Sequence, residues 1–294
     1  MKRGELTWTG GEDVGMSGPR RPVRRAELGW SAPALALLAL VVAVPLVWLV
    51  WLSLHGGVGA RGGFVGLENY LGVLGSAPWW TSIGTTTVVM VTLTAAQLAL
   101  GLAFAIALWH LSILWWPARW LALVPAGVGL VVGATAGRTA VEGGFIASWF
   151  GLDDGGATTA LIGVVVGEMW RTTGLVVVLL HAGLSRVPTS LLDAALVDGA
   201  TSWQRWRRVI WPALTPTLLA VLAYRALDSW RLLDGPLLVR EPGSFRTTGS
   251  ALVADNAFGS FQTGPAAAAG VVLIVCSALI GVAALLLSRT VRTR

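Results

Sequence analysis

The sequence predicts an all-α membrane protein of six transmembrane helices with both termini in the cytoplasm (N-in/C-in), and three observations carry this. Of 294 residues, 55% are hydrophobic and only 12% charged, where a soluble domain carries about a quarter. Apolar runs at 32–54, 86–109, 160–180 and 265–287 are near or above the roughly 20 residues a helix needs to cross the hydrocarbon core. Water cannot satisfy backbone groups there, so such runs read as helices rather than strands. Third, basic residues are distributed unevenly between the segments that join the runs.

Residues 1–28 are polar and basic, with Lys2, Arg3, Arg20, Arg21, Arg24 and Arg25, and read as a cytoplasmic N-terminal tail. Residues 29–294 form one membrane domain. The first apolar run, from Ala32 to Leu54, is longer than the 7–15 residues of a signal-peptide core and ends at His55-Gly56-Gly57 without a cleavage pattern, so it reads as a retained helix. Spans are expected at 30–54, 82–109, 118–137, 160–184, 212–238 and 265–288. This arrangement makes 55–81, 138–159 and 239–264 external and 110–117 and 185–211 cytoplasmic. Arg119, Arg186, Arg205, Arg207, Arg208, Arg289, Arg292 and Arg294 then join the basic tail on the inside. The outside carries only Arg61, Arg138, Arg240 and Arg246, against Glu68, Glu142, Asp153, Asp154, Glu241 and Asp255. This is the Lys/Arg bias that orients membrane proteins. Trp30, Trp48, Trp51, Trp79, Trp80, Trp115, Trp116 and Trp211 fall near span ends, where indole rings favour the headgroup layer. The net charge of +6 is accounted for by this topology and does not call for a nucleic acid. The partner it implies is the lipid bilayer.

The cytoplasmic segment 186–211 carries the most specific pattern. Pro188 and Thr189-Ser190 offer a helix start. An apolar helix over 190–197 should stop at Asp198-Gly199, a turn-favouring pair. A second short helix capped by Thr201 or Ser202 should place Trp203, Trp206 and Ile210 on one face and leave Arg205 and Arg208 to water. Pro212 then opens the next span. An apolar helix–turn–helix in such a position is suited to being gripped by another protein.

Asp193, Ala194, Ala195, Asp198, Gly199 and Ala200, followed by Trp206, Val209, Pro212 and Pro216, resemble the EAA loop of permeases of binding-protein-dependent ABC importers. Asp193 stands where the family usually has Glu, and Trp206 where it usually has Phe. The resemblance implies that these residues form the coupling helix, seated in a groove of an ATPase subunit. It implies a second permease subunit, two ATPase subunits and an extracytoplasmic solute-binding protein as partners, in a bacterial plasma membrane. Phe64-Val-Gly-Leu-Glu-Asn-Tyr70, Glu168-Met-Trp-Arg-Thr-Thr173 and Tyr224-Arg-Ala-Leu-Asp228-Ser-Trp-Arg-Leu-Leu-Asp234 are similar to the maltose-type sugar branch, in a form close to trehalose-importer permeases. The outer loops depart from that branch at 133–150 and 240–243. A sugar, in the first place a disaccharide such as trehalose, is the solute the resemblance implies.

Lys2 is the only lysine, so the chain has no phosphate-binding loop, which needs Gly-x-x-x-x-Gly-Lys-Ser/Thr. The expectation is a transport subunit that is not an enzyme and holds no cofactor, with ATP and Mg bound by partner subunits. His55, His110, His181 and the single Cys276 are scattered and show no metal-ligand spacing. Polar groups within apolar spans are costly and mark pathways or structural pairs. Glu168, Tyr224, Asp228, Trp230 and Asn256 are the candidate solute-path residues, with Gln97 and Gln262 behind them. Tyr224, Asp228 and Arg231 share a helical face. Arg225 with Asp228 could equally form a local ion pair, and a purely structural role stays open beside the pathway role. The alternative function is an ion-coupled secondary transporter, with Glu168 and Asp228 as proton sites.

Overall fold

A computed structural model of the chain describes residues 25–58, 61–111, 114–127, 129–141, 148, 157–232 and 247–292. Asp153, Asp154, Asp234, Arg240 and the segment 240–243, and residues 1–24 of the expected tail, lie outside the described residues. Among the described residues the regular structure is helical, with no strand apart from an isolated bridge between His55 and Phe64. In chain order the helices are α1 (Arg25–Ser53), α2 (Glu68–Leu74), α3 (Ala77–His110), α4 (Trp115–Gly127), α5 (Leu130–Val141), α6 (Ala157–Leu184), α7 (Thr189–Val197), α8 (Ser202–Arg205), α9 (Trp211–Trp230), α10 (Gly249–Ala254) and α11 (Thr263–Arg292). The chain divides into two compact units at Trp48/Leu49. The first consists of α1 up to Trp48, a helix that begins at Arg25 inside the segment expected as tail. The second holds everything from Leu49 onward.

Among the described residues, five helical stretches are long and apolar enough to cross a membrane: Ala32–Ser53, Ala77–His110, Leu161–Leu184, Ser202–Trp230 and Thr263–Thr290. The expected span at 118–137 is different. It is divided into α4 and α5, of 13 and 12 residues, or roughly 20 and 18 Å at 1.5 Å per residue. Neither alone spans a core of about 30 Å. Pro125 inside α4, together with Gly127 and Gly129 around the break, supplies a physical reason: proline removes a helical donor and glycine weakens propagation.

The fourth long stretch, Ser202–Trp230, also differs from expectation. Pro212 does not begin a new helix after the loop. It lies one residue into α9, and the preceding turn, Trp206–Ile210, is π-helical and continuous with both α8 and α9. Trp211 N–H donates to the Trp206 carbonyl, five residues back. A proline lacks the donor for the fourth carbonyl back and clashes with it, and widening the turn accommodates both. Downstream, α9 stops at Trp230 rather than near 238.

Tight helix contacts organise the second unit. Helices α5 and α6 cross through paired glycines, Gly133 and Gly137 facing Gly163 and Gly167. A Cβ on Gly137 would sit 2.1 Å from the Gly163 carbonyl oxygen, and one on Gly167 would sit 2.1 Å from that of Gly133. Between membrane helices, where lipid is as apolar as leucine, such close backbone approach is the principal route to dispersion contact. Helices α3, α6 and α9 enclose a core of Ala105, Val176, Val177, Leu180, Leu184, Ile210, Leu214 and Val221. The Phe64–Tyr70 segment also has a local role. Asn69 Nδ2 donates to the carbonyls of Ser53 (2.8 Å) and His55 (3.1 Å), and Tyr70 Oη pairs with Ser53 Oγ at 2.6 Å, so it caps the end of α1.

Candidate functional site, a helix–turn–helix and a buried polar network

The segment after α6 folds as a compact helix–turn–helix. Val187 is buried and Pro188 precedes α7. At the far end of α7, Gly199 N–H donates to Leu196 O (3.0 Å) and Ala200 N–H to Ala195 O (2.9 Å). These two bonds make a Schellman stop, which places its glycine in the left-handed region; Gly199 has φ +74°. Thr201 then caps α8 in a reciprocal box: Gln204 N–H donates to Thr201 Oγ1 and Thr201 N–H to Gln204 Oε1 (2.9 Å). The chain thus reverses over three residues with each helix end satisfied.

Leu192, Trp206 and Val209 pack against the α3/α6/α9 core. Leu191, Leu196, Val197 (88% exposed) and Trp203 (67% exposed) point outward instead. The expectation that Trp203, Trp206 and Ile210 share one face is corrected: the π-helical turn Trp206–Ile210 shifts the register of Ile210 relative to Trp203, and Trp206 and Ile210 turn inward while Trp203 is exposed. Arg208 is exposed as expected, whereas Arg205 is half-buried and donates to Ser202 Oγ at 3.2 Å. Asp193, Ala194 and Asp198 are exposed, and Ala195 and Ala200 half-buried.

The second feature lies among α3, α6 and α9. Arg225, fully buried, donates through Nε to Gln97 Oε1 (2.7 Å), through Nη1 to Asp228 Oδ2, and through Nη2 to Ser229 Oγ (3.3 Å). Its Nη2 also lies 3.8 Å from Glu168 Oε1. Arg171 forks onto Glu168, Nε to Oε2 at 2.9 Å and Nη2 to Oε1 at 2.7 Å. Gln97 Nε2 donates to Thr172 Oγ1 (2.6 Å) and to the Glu168 carbonyl (3.3 Å). Two carboxylates and two guanidiniums thus offset one another, which answers the cost of burying them. Removing one partner leaves an uncompensated buried charge, a loss of about 3–5 kcal/mol. Glu168→Leu is accordingly expected to lower the yield and melting temperature of purified protein sharply, while Glu168→Leu with Arg171→Met recovers part of the loss; a double variant as unstable as the single would contradict this pairing.

The candidate path residues are distributed unequally. Glu168 and Asp228 meet in this network, and the half-open Tyr224 ring lies beside it, 5.9 Å from Arg225 Cζ. Asp228 is the network's outlet: its side chain is 34% exposed. Trp230 is buried, with no partner for its indole N–H among the described residues. Asn256 is positioned by the π-helical turn Asp255–Gly259 and lines a separate groove of about 400 Å³ with Glu68, Asn69 and Gln262. Sequence reasoning missed the Gln97–Arg225 bond, which joins residues far apart in the chain. The available signal was one carboxamide in the otherwise apolar run 86–109.

Residues 24–293 match the family described as binding-protein-dependent transport system inner membrane component, and the chain belongs to it: it is a multi-pass permease component of the inner membrane. The trehalose transport system permease protein SugA of Mycobacterium tuberculosis (strain ATCC 25618 / H37Rv) is 34% identical over 224 residues, covering 74% of this chain and 72% of the relative. The trehalose/maltose transport system permease protein MalF of Thermococcus litoralis is 31% identical over 180 residues, 58% of this chain and 61% of the relative. The fold is similar to a chain of a bacterial alginate ABC transporter solved with an alginate pentasaccharide-bound periplasmic protein. That match has a TM-score of 0.70 at 19% identity, covering 92% of this chain and 96% of the other.

Proposed function

We propose that this chain is one permease half of an ATP-driven importer for a sugar, a disaccharide such as trehalose, delivered by an extracytoplasmic binding protein. The observation that carries the reading is the 188–210 helix–turn–helix, whose inner side chains are locked into the bundle while its apolar tip is open. A second, similar permease completes the pore. Two ATPase subunits bind ATP and Mg, and each permease presents its 186–211 loop to one of them. Asp193, Ala194, Ala195, Asp198, Gly199 and Ala200 form the coupling element, with Trp206 as its anchor. ATP-driven closure of the ATPase pair moves this element as a rigid lever and exchanges inward- and outward-facing states.

The topology is N-in/C-in with six crossings, the third made by α4 and α5 together. Along the path, Tyr224 and Asp228 offer an aromatic face and a carboxylate to a passing sugar, and Glu168 sets the charge balance behind them. The ion-coupled alternative finds less support, because Glu168 and Asp228 are both bound by arginines rather than left to exchange protons. The test is uptake of labelled trehalose and maltose into proteoliposomes holding the complete importer and its binding protein. Uptake is expected to require ATP inside and to fall at least tenfold in Asp228→Ala, about the 1.4 kcal/mol of one charge-assisted hydrogen bond. ATP-independent uptake abolished by an uncoupler would overturn the ATP-driven reading, and normal uptake by Asp228→Ala would remove Asp228 from the path.

A further inference from the structure

The contacts around Asp228 extend beyond its own helix. Its bonded oxygen is held by Arg225, and Arg225 is aimed from α3 by Gln97. Gln97 is in turn fixed from α6, where Thr172 Oγ1 accepts from its amide nitrogen while donating to the Glu168 carbonyl at 2.8 Å. Only one amide orientation serves both neighbours of Gln97, since Nε2 must donate to the hydroxyl and Oε1 must accept from the guanidinium. Every member except Asp228 is buried or nearly so. A long aspartate–arginine pair at a half-open surface would sample several rotamers. Here the guanidinium is held through Nε by Gln97 and through Nη2 by Ser229, which leaves Nη1 and its partner Asp228 one favoured direction.

We propose that Gln97, fixed by Thr172, is a positioning residue that acts through Arg225 to hold the Asp228 carboxylate in the orientation that meets the hydroxyls of the sugar. The inference rests on the reading of Asp228 as a path residue. It adds that the geometry of that contact is set by α3 and α6, so the apparent affinity for solute depends on two residues that never touch it. Asp228 engages Arg225 through Oδ2, and its side chain is 34% exposed, so the carboxylate can accept from a sugar hydroxyl through its second oxygen. Gln97, wholly buried, supplies stiffness rather than contact.

The experiment measures trehalose or maltose uptake, whichever the intact importer transports, in proteoliposomes at fixed binding-protein concentration. Gln97→Met removes the acceptor for Arg225, and Thr172→Val removes the anchor of Gln97 with almost no change of shape. Gln97→Met should raise the half-saturating solute concentration about tenfold, the equivalent of one charge-assisted hydrogen bond, with the maximal rate within about twofold. Thr172→Val should raise it about threefold, the equivalent of a weaker neutral bond. In an Asp228→Ala background neither substitution should raise it further, because both act through a carboxylate no longer present. Equal, additive effects with and without Asp228, or a loss of maximal rate at unchanged half-saturation, would show a structural strut and overturn the proposal. If Gln97→Met does not assemble, Thr172→Val alone decides. Normal uptake by Asp228→Ala itself identifies failure of the path reading, and the positioning role falls with it.

Discussion

Gly167→Leu is expected to prevent α5 and α6 from closing on one another and to remove most of the folded protein. A Cβ at this position would lie 2.1 Å from the Gly133 carbonyl oxygen, 2.9 Å from its carbon and 3.3 Å from Gly137 Cα. All three are backbone atoms, so no side-chain rotation can clear the space. Overpacking a well-packed core costs about 1–3 kcal/mol, and here the helices must separate along the whole crossing, because Gly137 and Gly163 interlock one turn away. Stabilities of whole domains are only about 5–15 kcal/mol, so the loss is a large share. Gly167→Ala should already lower the melting temperature of detergent-purified protein, and Gly167→Leu should leave little monodisperse material. Gly84→Ala is the control: nothing lies within 4 Å of its Cβ position, about two turns into α3, and replacing a helical glycine there should be neutral or stabilise by about 0.5–1 kcal/mol. A Gly167→Leu protein that melts like the unaltered chain would contradict this packing.

That crossing also marks where sequence reasoning reached its limit. The long apolar runs were legible because a helix that must satisfy its own backbone in lipid needs a continuous run of apolar side chains, and 86–109 and 265–287 both lie inside observed helices. The third span was not, because past Arg119 its composition is mostly apolar while its break depends on Pro125 and neighbouring glycines acting together. The glycines Gly133, Gly137, Gly163 and Gly167 carry a four-residue spacing visible in the sequence, yet which helices they join is a tertiary fact. In the loop, the Asp198-Gly199 stop and the Thr201 cap followed from turn and capping chemistry, which acts over three or four residues. The separation of Trp203 from Ile210 did not, since it depends on a π-helical turn that ordinary helical periodicity does not contain. The polar network shows the same division. Arg225–Asp228 is a helical neighbour pair and was anticipated as one possibility, whereas Gln97 and Thr172 come from other helices.

The helix–turn–helix yields the second large effect, because its two sides separate folding from partner binding. Val197 and Trp203 are 88% and 67% exposed, so Val197→Asp with Trp203→Asp removes almost no packing within this chain. Its melting temperature should stay within a degree or two, as surface substitutions change stability by about 0.5 kcal/mol or less. An apolar tip seated in a groove of an ATPase subunit would lose contacts of the kind that dominate interfaces, about 2 kcal/mol or more per central residue. The double variant should therefore fail to retain the ATPase on co-purification and should show no ATP-driven uptake while remaining folded. Trp206→Ala should do the reverse in part: the half-buried indole packs against the α3/α6/α9 core, and truncating it should lower stability by about 1–3 kcal/mol, less than for a fully buried aromatic, before the interface is reached. Gly199→Val lies between them. Its Cβ would meet nothing within 4 Å, so the cost is conformational, about 1–2 kcal/mol for a left-handed residue bearing a side chain. The turn would open and change how α7 and α8 are presented, and coupling should be lost while the bundle stays folded. Wild-type ATPase retention by the Val197→Asp, Trp203→Asp protein would show that the tip is not the docking surface, and retention by Gly199→Val would show that its exact shape is not required.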